Sequence, residues 1–116
     1  MAAKLESVRV GGVTYAVSFP ARIVDTGDDG KLVELWGLVD YGDAKIEIAD
    51  TGAQQNRQAT VCHEIVHAIL HQVGQDEHNE NQVIALGYGL AQVIRDNPAL
   101  IDYLRGEVDA DAASGT

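Results

Sequence analysis

The chain reads as an α+β domain: an N-terminal antiparallel sheet followed by two longer helices and a short third helix. Three observations predict this. The first half carries short β-branched runs separated by turn residues. The second half changes to apolar residues at helical spacing. Strands grouped ahead of helices, rather than alternating with them, point to a sheet covered by helices. The length, 116 residues, suits one domain. We assign it to residues 1–106, with 107–116 as a disordered acidic tail of small residues that cannot build a core.

Taken in order, Ser7-Val8-Arg9-Val10 and Val13-Thr14-Tyr15-Ala16-Val17 flank Gly11-Gly12, a two-residue hairpin signal. Residues 25–30, Asp-Thr-Gly-Asp-Asp-Gly, are turn chemistry and read as a loop. Residues 32–39 read as a third strand, and 40–43 as a turn. Lys45-Ile46-Glu47-Ile48 alternates polar and apolar, as a half-buried strand does.

Thr51 and Gln54 have the spacing of a capping box, so a helix should follow and run to about Val73, with Gly74 beyond its end. A second helix should start near Glu77. Val83, Ile84, Gly87, Leu90, Ala91 and Ile94 recur on one of its faces. Asn97-Pro98 ends that helix and opens a third over 98–105, Asn97 as N-cap and Pro98 at the first helical position.

Composition narrows the function. There are 18 Asp plus Glu against 8 Lys plus Arg, a net charge of −10 with no basic cluster. Nucleic-acid binding depends on neutralising phosphates, so it is not expected. The N-terminus resembles no secretory signal and no run is long enough to span a bilayer, which predicts a cytoplasmic protein that does not enter a membrane. The single cysteine, Cys62, rules out an internal disulfide and a multi-cysteine zinc site. It should be a buried, inert thiol.

The chemistry lies in His63-Glu64-Ile65-Val66-His67. Histidines four apart stand one above the other on a helix and can converge on one tetrahedral zinc. Glu64, beside the first of them, is placed to act as general base toward water at the metal. Its flanks, Thr60-Val61-Cys62 and Ala68-Ile69, are uncharged and suit a helix packed on the core.

A catalytic zinc needs a third protein ligand and one open position. The positions three and six beyond His67 are Leu70 and Val73, which excludes a further ligand in the metzincin arrangement. The next helix offers Asp76, Glu77, His78 and Glu80. Glu80 shares the face of Val83, Ile84 and Gly87 and is the first choice, with Glu77 second. His71, one turn beyond His67, should bond a neighbour or cap the helix rather than bind metal.

The segments Trp36-Gly37-Leu38-Val39-Asp40-Tyr41, Ile46-Glu47-Ile48, 60–70 and Glu80-Asn81-Gln82-Val83-Ile84-Ala85-Leu86 resemble the ImmA/IrrE-like family of small bacterial and phage metallopeptidases. The resemblance spans about residues 8–104. It implies a zincin-like fold of the stand-alone phage or prophage type. It also implies a gluzincin-type centre, with zinc on His63, His67 and Glu80 and Glu64 as catalytic base. The expected substrate is a protein or peptide, such as a repressor. The competing expectation is a zinc-stabilised binding module that sequesters a partner without cutting it. Tyr41 and Tyr88 are considered as oxyanion donors, although buried tyrosines with satisfied hydroxyls are the first expectation for both. Residues 45–48 and 32–39 are the two candidate strand edges for binding a substrate chain.

Overall fold

The computed structural model describes residues 5–77 and 79–107. Six strands precede three helices: β1 (Ser7–Val10), β2 (Val13–Ser18), β3 (Ile23–Thr26), β4 (Leu32–Leu35), β5 (Gly37–Asp40), β6 (Lys45–Ile48), α1 (Gln54–Gln72), α2 (Glu80–Asp96) and α3 (Pro98–Leu104). The α+β class is as expected.

β1 and β2 form the expected hairpin, with Val10 opposite Val13. Gly11 and Gly12 both take positive φ, +56° and +93°, which a two-residue turn matched to strand twist requires.

The rest of the sheet differs from the expectation in three ways. Its order is β1-β2-β6-β5, with β6 parallel to β2 and antiparallel to β5. The sheet is therefore mixed rather than antiparallel. A parallel pair needs a long crossover, and the chain between Ser18 and Lys45 supplies it. Second, residues 32–39 are two strands that bend at Trp36 and join different sheets: β4 pairs with β3, and β5 pairs with β6. The strand β3, absent from the sequence reading, is half Asp25-Thr26 and gains its identity only from pairing with β4. Third, β6 lies inside the sheet, so it offers no edge. The edge strands are β1 and β5.

The core forms between this sheet and α1. Val10, Tyr15, Val17, Ile46 and Ile48 meet Ala68 of α1, and Ile46, Ile48 and Ala68 are fully buried. Burial of this apolar surface is the main force seating α1 on the sheet. Gln72 extends the attachment by donating from Nε2 to the Val10 carbonyl.

The helix ends also differ in detail. Ala53, not Thr51, is the N-cap of α1, and no side chain caps it, so the capping box does not form. Gly52 intervenes at φ +76°, and Arg57 Nη1 donates to its carbonyl over 2.6 Å. The second helix starts later than Glu77. Asn79 caps it, its Oδ1 accepting from the Asn81 and Gln82 N–H groups at 2.8 and 3.3 Å. Asn97 occupies the N-cap position of α3 without a capping bond; its Nδ2 instead donates to the Val93 carbonyl and closes α2.

α2 packs against α1 and α3. These neighbours cover only a narrow stripe of it. Only Val83 and Gly87 of α2 are buried, Ala91 is half-buried, and Ile84, Leu90 and Ile94 remain exposed. The tail expected from residue 107 lies, beyond Glu107, outside the described residues, as does His78. Among the described residues no helix is long and apolar enough to cross a membrane.

Candidate metal centre and the cleft beside it

α1 carries His63 and His67 on one face, and their rings meet edge to face with Nε2 atoms 3.1 Å apart. α2 brings Glu80 from the opposite side. Its Oε1 lies 2.9 Å from His63 Nε2, and its Oε2 lies 3.4 Å from His67 Nε2. Donor atoms bonded at about 2.0–2.1 Å to one tetrahedral cation stand roughly 3.3 Å apart. The two imidazoles and the carboxylate have that spacing, so His63, His67 and Glu80 form a set that can hold a metal ion.

Two glycines set the approach of the elements around this set. A Cβ on Gly87 would lie 2.9 Å from both the Cα and the N of His63, so α2 rests on the backbone of α1 at this point. A Cβ on Gly37 would lie 2.7 Å from Thr60 Cγ2 and 3.0 Å from Glu64 Oε1, so the start of β5 presses on the residue beside the first histidine.

Glu64 is buried, with 6 % of its surface exposed. Its carboxyl pKa is pushed up to about 7, first by burial and then by the nearby Glu80 carboxylate. Burial and the neighbouring His67 lower the pKa of His63, against the opposing pull of Glu80. His63 is thereby biased to the neutral form that binds metal.

Among the described residues, the remaining candidates fall outside the set. His71 turns to Asp76, Nδ1 to Oδ1 at 2.7 Å, and stacks on Tyr41 with ring centroids 3.8 Å apart. It bonds a neighbour, as expected, and Asp76 is engaged with it. Glu77 is exposed. Cys62 is half-buried, and burial raises its thiol pKa.

Tyr41 and Tyr88 are exposed rather than buried. Tyr41 sits in the turn after β5, where its hydroxyl donates to the His67 carbonyl at 3.4 Å. Tyr88 stands on the flank of α2 that α1 leaves uncovered, and it lines a cleft together with His63 and Glu64.

That cleft has a volume of about 460 Å³. It runs from His63 toward the N-terminus of α1, between the Leu35–Trp36 bend and α2. Neither Trp36 nor Gly37 belongs to a motif that marks it as a site residue in the sequence. An isolated glycine within a strand pattern is a signal of close backbone approach and could have drawn attention to Gly37. Comparison of the chain with family models, with curated proteins and with solved structures returns no match.

Proposed function

We propose that the protein is a zinc-dependent endopeptidase that hydrolyses a peptide bond in a protein substrate. The observation that carries this reading is the meeting of His63, His67 and Glu80 in one donor set, with buried Glu64 beside it at the head of an open cleft. Two imidazoles and a carboxylate suit zinc and leave a tetrahedral position for a reactant. A site that only stabilised the fold would use all four positions and would have no need of a second, buried carboxyl group next to it.

When bound, zinc would act as a Lewis acid, lowering the pKa of water toward about 7 and polarising the scissile carbonyl. The chain's own residues do the rest. Glu64 takes a proton from the attacking water and later delivers it to the leaving amine. A buried carboxyl group beside the donor set can serve first as base and then as acid. Tyr88, in the cleft, is the tyrosine available to donate to the developing oxyanion; the Tyr41 hydroxyl is directed at the α1 backbone. A regulatory protein such as a repressor is the substrate that the ImmA/IrrE-like resemblance suggests.

The test is digestion of a random peptide library by the zinc-loaded protein, read by mass spectrometry. Cleavage by the wild type that disappears in Glu64→Gln at equal zinc content is the expected result. Equal cleavage by both proteins would remove Glu64 as base. An intact library with full zinc loading would favour the sequestering module instead.

A further inference from the structure

We propose that the cleft beside the metal centre receives one bulky apolar side chain of the substrate, aromatic or branched aliphatic, and that Trp36 and Ile84 select it. The inference rests on the hydrolytic reading of the centre and adds the class of residue next to the scissile bond.

Apolar side chains and aromatic rings dominate both of its walls. Leu35 and Trp36 form one, and Ile84 and Tyr88 of α2 form the other, over a floor of Ala59 and Thr60. The one hydroxyl in the floor is already committed: Thr60 Oγ1 donates to the Asn56 carbonyl at 2.8 Å. Its methyl group is left facing Gly37. Glu34 stands at the rim, where Arg22 engages its carboxylate at 2.6 Å. No unmatched charge is therefore directed into the groove from that rim.

Trp36 is 60 % exposed and Ile84 is 39 % exposed, and both line the groove. Large apolar side chains left open around a concave site mark a place where a ligand completes the burial. The Trp36 wall also has support on one side. The indole lies against Gly52, where an added Cβ would sit 3.4 Å from the ring. The cleft volume, about 460 Å³, falls within the range of small-ligand sites. Because the groove ends at His63 and Glu64, a side chain seated in it places the adjoining peptide bond at the proposed centre.

The test uses the zinc-loaded full chain and two zinc-chelating probes, acetohydroxamate and 3-phenylpropionohydroxamate, with affinities measured by calorimetry. Burying the phenyl group should make the second probe about 10- to 100-fold tighter than the first. That ratio should fall to within about threefold of unity in Trp36→Ala and in Ile84→Ala. Acetohydroxamate affinity and zinc content should stay unchanged in both variants, which separates loss of the pocket from loss of the fold.

A ratio near one in the wild type, with acetohydroxamate still bound, overturns the apolar pocket and leaves the metal centre standing. A ratio that survives both substitutions overturns the assignment of Trp36 and Ile84. Failure of both probes to bind the zinc-loaded protein overturns the pocket and the open metal position together. Probe affinity that weakens as protein concentration rises would mean that a second copy of the chain covers the groove, and would overturn the substrate assignment.

Discussion

Gly87 lies directly on the backbone of His63: a single methyl group added there would come within 2.9 Å of both the His63 Cα and N atoms. Neither atom can move without moving α1. The close seating of α2 is what lets Glu80, two turns earlier on the same helix, reach His63 at 2.9 Å. Gly87→Ala should push the helices apart and lower zinc affinity by about 10- to 100-fold, the range found when support for a metal ligand is disturbed. Overpacking should also cost about 1–3 kcal/mol of stability. Competition titration against a chelator, together with chemical denaturation, measures both. Unchanged affinity in the folded variant would mean that Gly87 does not govern the position of Glu80.

Gly37 has the same relation to Glu64 from the other side. In Gly37→Ala the new Cβ would meet Thr60 Cγ2 at 2.7 Å and Glu64 Oε1 at 3.0 Å. Peptidase activity should drop by at least about tenfold through displacement of the carboxylate, while zinc binding is retained. Thr60→Ser removes the closer obstacle, so the double variant should recover part of the activity. Loss of activity with no recovery in the double variant would show that the Thr60 contact is not the cause.

Burial of Glu64 makes the metal-free protein sensitive to pH. The folded-state pKa is raised from 4.5 to about 7. Between those values the folded state holds a proton that the unfolded chain has released, so the contribution of Glu64 to stability is fully present below about pH 4.5 and is lost as pH rises toward 7. The shift corresponds to a loss on the order of 3 kcal/mol. Glu64→Gln, neutral at every pH, should therefore make the metal-free protein more stable at pH 8, and the gain should shrink toward pH 5. Urea denaturation of both metal-free proteins at the two pH values checks it. An equal difference at both would contradict ionisation as the cause.

The parts legible in the sequence are those fixed by local periodicity. His63, Glu64 and His67 sit on one helix, where spacing alone decides which side chains face together. Glu80 could be chosen over Glu77 because it shares the stripe of Val83 and Gly87, the two residues of α2 that prove buried. What spacing cannot encode is pairing between distant segments. β3 exists only because Ile23 meets Leu35 and Thr26 meets Leu32. The parallel contact of β2 with β6, and the bend at Trp36 that sends β4 and β5 to different sheets, likewise depend on tertiary packing. The cleft is built from that bend, so its walls stayed hidden until the segments were assembled. The Thr51 capping box failed for a local reason: Gly52 turns the chain through a positive φ and delays the helix to Gln54.

Metal affinity should itself follow pH. Ligand imidazoles must be neutral to bind, so zinc should be released progressively as the pH falls into the acid range. The lowered pKa of His63 moves its own contribution to still more acidic pH. Zinc retention measured by dialysis between pH 8 and 5 should show loss in the acid half of that range. Retention that does not change across it would argue against histidine ligation.

The claim on which the rest depends is that His63, His67 and Glu80 hold one zinc ion. Calorimetric zinc titration of the wild type, His63→Ala, Glu80→Ala and Glu64→Gln tests it directly. We expect one zinc per chain in the wild type and in Glu64→Gln with similar affinity. Affinity should weaken by at least about 100-fold in each of the two ligand variants. Zinc binding that is unchanged in both His63→Ala and Glu80→Ala would contradict the account.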